Sequence, residues 1–207
     1  THVPYKGEAP AIQDVLGGQI DAVIASLGGA SRHPGKIKAL ADAAREHGLK
    51  LIIGSELRLA DGLHLVLLAT DREDYAALCA LITRGRRAAV KGSYHLLRAD
   101  LEALGSACLV LWIPSEVPQL ADAIWLQQHF AGRAWLAVEL HAGGDDHHRI
   151  RQLTRLAAAA GMPAVAAGDV HMHVRGRRAL QDTLAAIRAR QPLGSGSRIL
   201  HPNGERH

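Results

Sequence analysis

Short apolar runs alternate along most of this chain with longer segments in which apolar positions recur every three or four residues, the rhythm of strands exchanging with amphipathic helices. Leu49 to Glu56 (LKLIIGSE) and Leu63 to Ala69 (LHLVLLA) are short and nearly continuously apolar and predict buried strands. The same holds for Ala107 to Ile113, Ala134 to Leu140 and Pro163 to Ala167. Asp71 caps a segment in which Tyr75, Leu78, Leu81 and Ile82 share one helical face. Arg98 to Leu104, Val117 to Phe130 and Asp145 to Ala160 predict further helices, and AREHG ends one at Gly48. Ahead of them, His2 to Tyr5, Ala9 to Leu16 and Ile20 to Ser26 read as strand, helix and strand. This alternation predicts an α/β fold of mostly parallel strands, a barrel or an open sheet with helices outside. Polar residues at successive strand ends then gather on one rim.

Four residues of metal-ligand type occupy such ends. Glu56 follows LIIGS, His141 follows AVEL, and Asp169 with His171 follow AVAAG. A carboxylate and imidazoles delivered together suit Zn²⁺, Mn²⁺ or Fe²⁺ better than Ca²⁺ or Mg²⁺, which prefer shells of oxygen. Each also has a plainer role: Glu56 as partner of Arg58, His141 and His171 as donors to loop carbonyls. His64 precedes the apolar run of its strand and is the weaker candidate. His147 and His148 fall in a polar helix start and are expected to be solvated.

Composition narrows the setting. The 207 residues are 48% hydrophobic but only 3% aromatic, which predicts one main domain with a core of Ala, Leu and Val. No stretch approaches the roughly 20 apolar residues of a membrane span. Cys79 and Cys108 lack any paired-ligand spacing and read as buried thiols of a reducing compartment, the cytoplasm. The net charge of +4 is modest. The basic clusters at Arg84, Arg86, Arg87 and Lys91, and at Arg175, Arg177 and Arg178, have no interleaved aromatics and read as solvated faces rather than a nucleic-acid groove. A chain that starts at Thr1 and stops at NGERH reads as a piece of something longer.

Two resemblances follow from longer motifs. THVPYKGEAPAIQDVLGGQIDAVIASL, in residues 1 to about 40, resembles the solute receptors of tripartite tricarboxylate transport. From about Ala43 to His207, GLKLIIGSELRLADGLHLVLLATDREDYAALCALITRGRR, KGSYHLLRADLEAL, GRAWLAVELH, AAGDVHMHVRGRRALQDTLAAIR and LHPNGERH resemble the PHP (polymerase and histidinol phosphatase) domain of error-prone bacterial C-family DNA polymerases. That resemblance implies an incomplete, distorted (β/α)₇ PHP barrel of parallel strands. Segment 1–41 is either a join of a second reading frame, the favoured explanation, or a replacement of its first strands; 42–190 would form the remainder, and 191–207 would begin a linker toward a polymerase core.

The resemblance also assigns roles. Glu56 matches the GSE glutamate, His64 the histidine of the HLVLLA strand, His141 the ELH position, and Asp169 and His171 the DVH pair. The family's His-rich first strand, of the form ELHCLSNFSF, and its ITDE or ITDH strand are replaced here by the HVPYKG segment. His2 and His33 are the conceivable substitutes, so the implied Zn, Mn or Fe site is incomplete. The implied function is that of a module of a damage-induced DNA polymerase. Its partners would be DNA, the polymerase core in cis and damage-response accessory proteins, with the catalytic palm outside this chain and no membrane involved. Two other readings are an autonomous metal-dependent phosphoesterase and a carboxylate-binding fragment, the latter motivated by Tyr5, Lys6 and Gly7 before the Ala9 helix.

Overall fold

The structure, a computed structural model, describes residues 22–26 (backbone only), 41–48, 50–105, 107–172, 174–193, 200–201 and 205–206. The expectations for His2 to Tyr5, Ala9 to Leu16, Lys6, Gly7, His2 and His33, and the receptor-like motif apart from the strand at its end, lie outside the described residues.

Six strands form one sheet in the order of the chain: β1 (Ala22–Ser26), β2 (Lys50–Arg58), β3 (His64–Ala69), β4 (Leu109–Trp112), β5 (Ala134–Glu139) and β6 (Ala164–Ala167). The helices are α1 (Arg72–Arg87), α2 (Arg98–Glu102), α3 (Leu120–His129), α4 (Asp146–Ala160) and α5 (Arg178–Ala189), and residues 41–46 are also helical. The fold is mixed α/β, as expected. The sheet is mostly parallel, as expected; the departure is β3, which runs antiparallel to both β2 and β4. The other pairs, β1–β2, β4–β5 and β5–β6, are parallel.

The reversal has a local cause. Residues 59–63 (LADGL) close a tight hairpin: the Leu59 amide donates to the Leu63 carbonyl at 2.8 Å, and the Leu63 amide to Asp61 Oδ1 at 3.1 Å. Gly62 takes a φ of +91°, a value that L side chains rarely adopt. A hairpin needs no crossover helix, so a helix returns the chain only after β3.

Alternation within the strands puts the core on one face. Leu65 pairs with Trp112 and Trp112 with Leu136, while Leu67 pairs with Val110 and Val110 with Ala134, and all six are buried. Leu78 and Leu81 of α1, Leu126 of α3 and Leu153 of α4 cover these rows. Asp71 caps α1, accepting from the amides of Glu73 and Asp74 at 2.8 Å. Helix α3 starts at Leu120 rather than Val117, because a residue before proline, here Pro118, is steered away from helical geometry. Cys108 is buried as expected, whereas Cys79 is only half-buried.

The opposite face carries Glu56, His64 and Glu139. Glu56 alternates with the core residues Ser55 and Leu57, His64 precedes Leu65, and Glu139 is three residues past Leu136. The antiparallel turn sets the start of β3 beside the ends of β2 and β4. Arg58 pairs with His64, whose carbonyl accepts from the Ile113 amide at 2.9 Å. His64 thus stands on the rim where the other strands end.

Candidate metal centre

Strand β5 and the residues after β5 and β6 supply the centre. Glu139 ends β5, His141 lies two residues on, and Asp169 follows Gly168 after β6, whose register sets Ala167 beside Glu139. One ligand atom from each of Glu139, His141 and Asp169 can be chosen so that all lie within 4.8 Å of one another. Asp169 adopts a φ of +41°, the left-handed region that aspartate tolerates better than most residues. Its carboxylate lies within reach of Glu139 at the end of β5 and of His141 beyond it.

The electrostatics are those of a cluster with surplus negative charge. Burial, and next the neighbouring Asp169 carboxylate, raise the pKa of Glu139, while His64 and Arg206 oppose the rise. Burial also tends to raise Asp169, but hydrogen bonds with His171 and Arg206 override it and hold this carboxyl well below the usual range. Burial, then Arg206, lowers His141, which favours the neutral imidazole that can ligate a cation. Two carboxylates and a neutral imidazole at this spacing fit a divalent cation of the Zn, Mn or Fe type.

His171 and Glu56 with His64 flank this group. His171 Nε2 lies 3.2 Å from Asp169 Oδ1, and its Nδ1 lies 3.3 Å from Gln181 Nε2 of α5. His64 Nε2 lies 2.7 Å from Glu56 Oε1, and its Nδ1 is 3.1 Å from the Arg58 guanidinium. Of the five residues singled out in the sequence, the structure therefore brings His141 and Asp169 into the three-membered group, sets His171 against Asp169, and pairs Glu56 with His64. Glu139 was missed. Its signal was present: it is the sole acid in the apolar strand AWLAVE, at the last strand position and on the open face.

Residues 35–145 match the PHP domain family, a little over half of the chain. The chain belongs to the PHP domain family. Over 165 residues it is 54% identical to an error-prone DNA polymerase of Pseudomonas fluorescens (strain Pf-5) and 55% identical to one of Pseudomonas paraeruginosa. Over 170 residues it is 50% identical to an error-prone DNA polymerase of Dechloromonas aromatica. These matches take in 80% of the chain but only 16% to 17% of each relative's length. No helix among the described residues of this PHP chain is long and apolar enough to cross a membrane.

Proposed function

We propose that this chain is the PHP module of an error-prone DNA polymerase, and that Glu139, His141 and Asp169 form a divalent-metal site at its sheet rim. The observation that carries the first part is identity of 50% to 55% to polymerases of that name across four fifths of the chain. The second part rests on the convergence of the three side chains. In this reading the six-stranded sheet belongs to a distorted (β/α)₇ barrel, with 42–190 as its bulk, 1–41 standing in for its first strands and 191–207 leading toward the polymerase core. DNA and damage-response accessory proteins are partners of the parent, which works in the cytoplasm. Nucleotidyl transfer belongs to the parent's core, which needs its own paired carboxylates and metal ions.

At the rim, Glu139, His141 and Asp169 would hold the ion, His171 would orient Asp169, and Glu56 with His64 would form the outer wall. The ion, when bound, supplies Lewis-acid polarisation of a phosphoryl oxygen. His141 would offer it a neutral imidazole, and the half-buried Glu139, whose pKa Asp169 helps to raise, would be relieved of that like charge by a bound cation. The Zn, Mn or Fe choice follows from the mixed nitrogen and oxygen donors.

Elemental analysis of the purified chain, together with primer extension on a lesion-containing template, tests this reading. Bound Zn, Mn or Fe that falls on Asp169→Ala, with extension by the full-length parent and none by this chain alone, is expected. Primer extension by the chain alone would refute the assignment of transfer to the core. The three-residue group also motivates an autonomous phosphoesterase as a second reading. It requires hydrolysis of a model phosphodiester that disappears in Asp169→Ala, and lack of hydrolysis by a metal-loaded chain removes it.

A further inference from the structure

The cluster already contains a cation. Arg206 reaches in from far along the sequence, and its Nε donates to Asp169 Oδ2 at 2.8 Å, while His171 approaches the other oxygen, Oδ1. The Arg206 side chain is 16% exposed and that of Asp169 39%, so the bond is partly shielded from water. Its charge is felt across the site, depressing both His141 and the neighbouring His201 after the effect of burial.

Several further contacts hold this region in place. The Arg206 carbonyl accepts from the amides of His171 and Met172, at 2.8 and 3.1 Å. Arg175 pairs with Glu205, Arg178 donates to the His201 carbonyl at 3.1 Å, and the His201 ring lies 4.6 Å from that of His171. The main chain at Arg206 is thus anchored independently of what its guanidinium does.

We propose that Arg206 is the resident counter-ion of this cluster, holding one oxygen of Asp169, a residue of the three-membered metal group, so that the arginine sets the metal affinity of the site. The inference rests on the metal-site reading above. A guanidinium and a divalent ion on the same Asp169 carboxylate repel each other as like charges in a half-buried setting. Metal entry therefore requires the guanidinium to swing off Asp169 while the backbone hydrogen bonds to His171 and Met172 persist. The site then has two states, one neutralised by arginine and one by metal, in competition.

The test is calorimetric titration of the chain with Mn²⁺ and with Zn²⁺ at neutral pH, comparing wild type with R206Q and R206K. R206Q should bind at least tenfold more tightly, the order of effect that residues around a metal's ligands exert, and R206K, which keeps the charge, should stay within a few fold of wild type. Equal affinity of wild type and R206Q overturns the inference while leaving the metal site standing. Absence of binding by either protein at millimolar ion overturns both. Nuclear magnetic resonance of the wild type gives a readout independent of the variants' folding. The Arg206 Nε proton, protected by Asp169, should lose its protection at metal saturation, and its persistence there would refute the displacement.

Discussion

His64 Nε2 lies 2.7 Å from Glu56 Oε1, across two strands that run in opposite directions. The two residues are diagonal neighbours, since Glu56 faces Val66 and His64 faces Arg58 in the register. The Glu56 side chain is 63% exposed. Such a pair contributes little once water screens it, so a double-mutant cycle on Glu56→Ala and His64→Ala in urea denaturation should return a coupling of about 0–1 kcal/mol. A coupling well above that range would give the pair a structural role that its exposure argues against.

Glu139→Gln separates the inner group from this outer pair. The substitution should weaken Mn²⁺ or Zn²⁺ binding by calorimetry about tenfold or more, and Glu56→Gln clearly less. Without metal, the same Glu139→Gln change removes a half-buried like charge beside Asp169 and should leave the urea midpoint unchanged or higher. A large loss of metal-free stability would contradict the charge strain described for this carboxylate.

Gly54, in the GSE motif, has a packing reason to be glycine. A Cβ there would stand 2.6 Å from the Leu67 carbonyl oxygen and 2.7 Å from Leu68 Cδ2, and the backbone atom cannot rotate away. Gly54→Ala should cost roughly 1–3 kcal/mol by chemical denaturation. Gly144, where a Cβ meets nothing within 4 Å, should tolerate alanine with little change.

Asp74 gives the stability a dependence on acid. Burial tends to raise its pKa, but the Thr70 hydroxyl at 2.6 Å and the Thr70 amide at 3.0 Å overcome this and lower it. A carboxyl depressed in the folded state stabilises the fold above its unfolded pKa of about 3.9, and that contribution disappears as pH falls through the folded value. Stability of the wild type should therefore decline more steeply below about pH 4 than that of Asp74→Asn, as measured by urea midpoints across pH. Parallel declines would show that the Thr70 bonds do not favour the charged form.

The two thiols should react differently. Cys108 is 1% exposed, and burial, followed by the Asp74 charge, pushes it up to about 11, so it stays a protonated thiol at pH 8. A disulfide-exchange reagent at pH 8 should modify half-buried Cys79 first and Cys108 only on unfolding, as read by mass spectrometry of peptides. Prompt labelling of Cys108 in the native protein would show that its side of the core opens readily.

The strands and helices were legible in the sequence because each carries its own period. The direction of β3 was less so: apolar HLVLLA looks the same whichever way it runs, and only the Asp61–Gly62 turn before it signals a reversal. His64 ranked lower because it precedes the apolar run of its strand, a position that the reversal of β3 brings to the rim. His141, Asp169 and His171 could be read because they follow apolar runs directly. Glu139 was harder to single out because it sits inside a strand, where its role depends on which face is open. Arg206 carried no local signal at all, since its place depends on long-range contacts with the segment after β6.

Strand β6 has one further consequence. Its residues Ala164 to Ala166 are exposed, and among the described residues it hydrogen-bonds to β5 alone. A small, uncharged ribbon that has no strand partner on its second edge among the described residues is a template on which another extended segment can lay itself down. Preparations of this chain by itself should self-associate through that ribbon as concentration rises, and a lysine at Val165 should keep them dispersed.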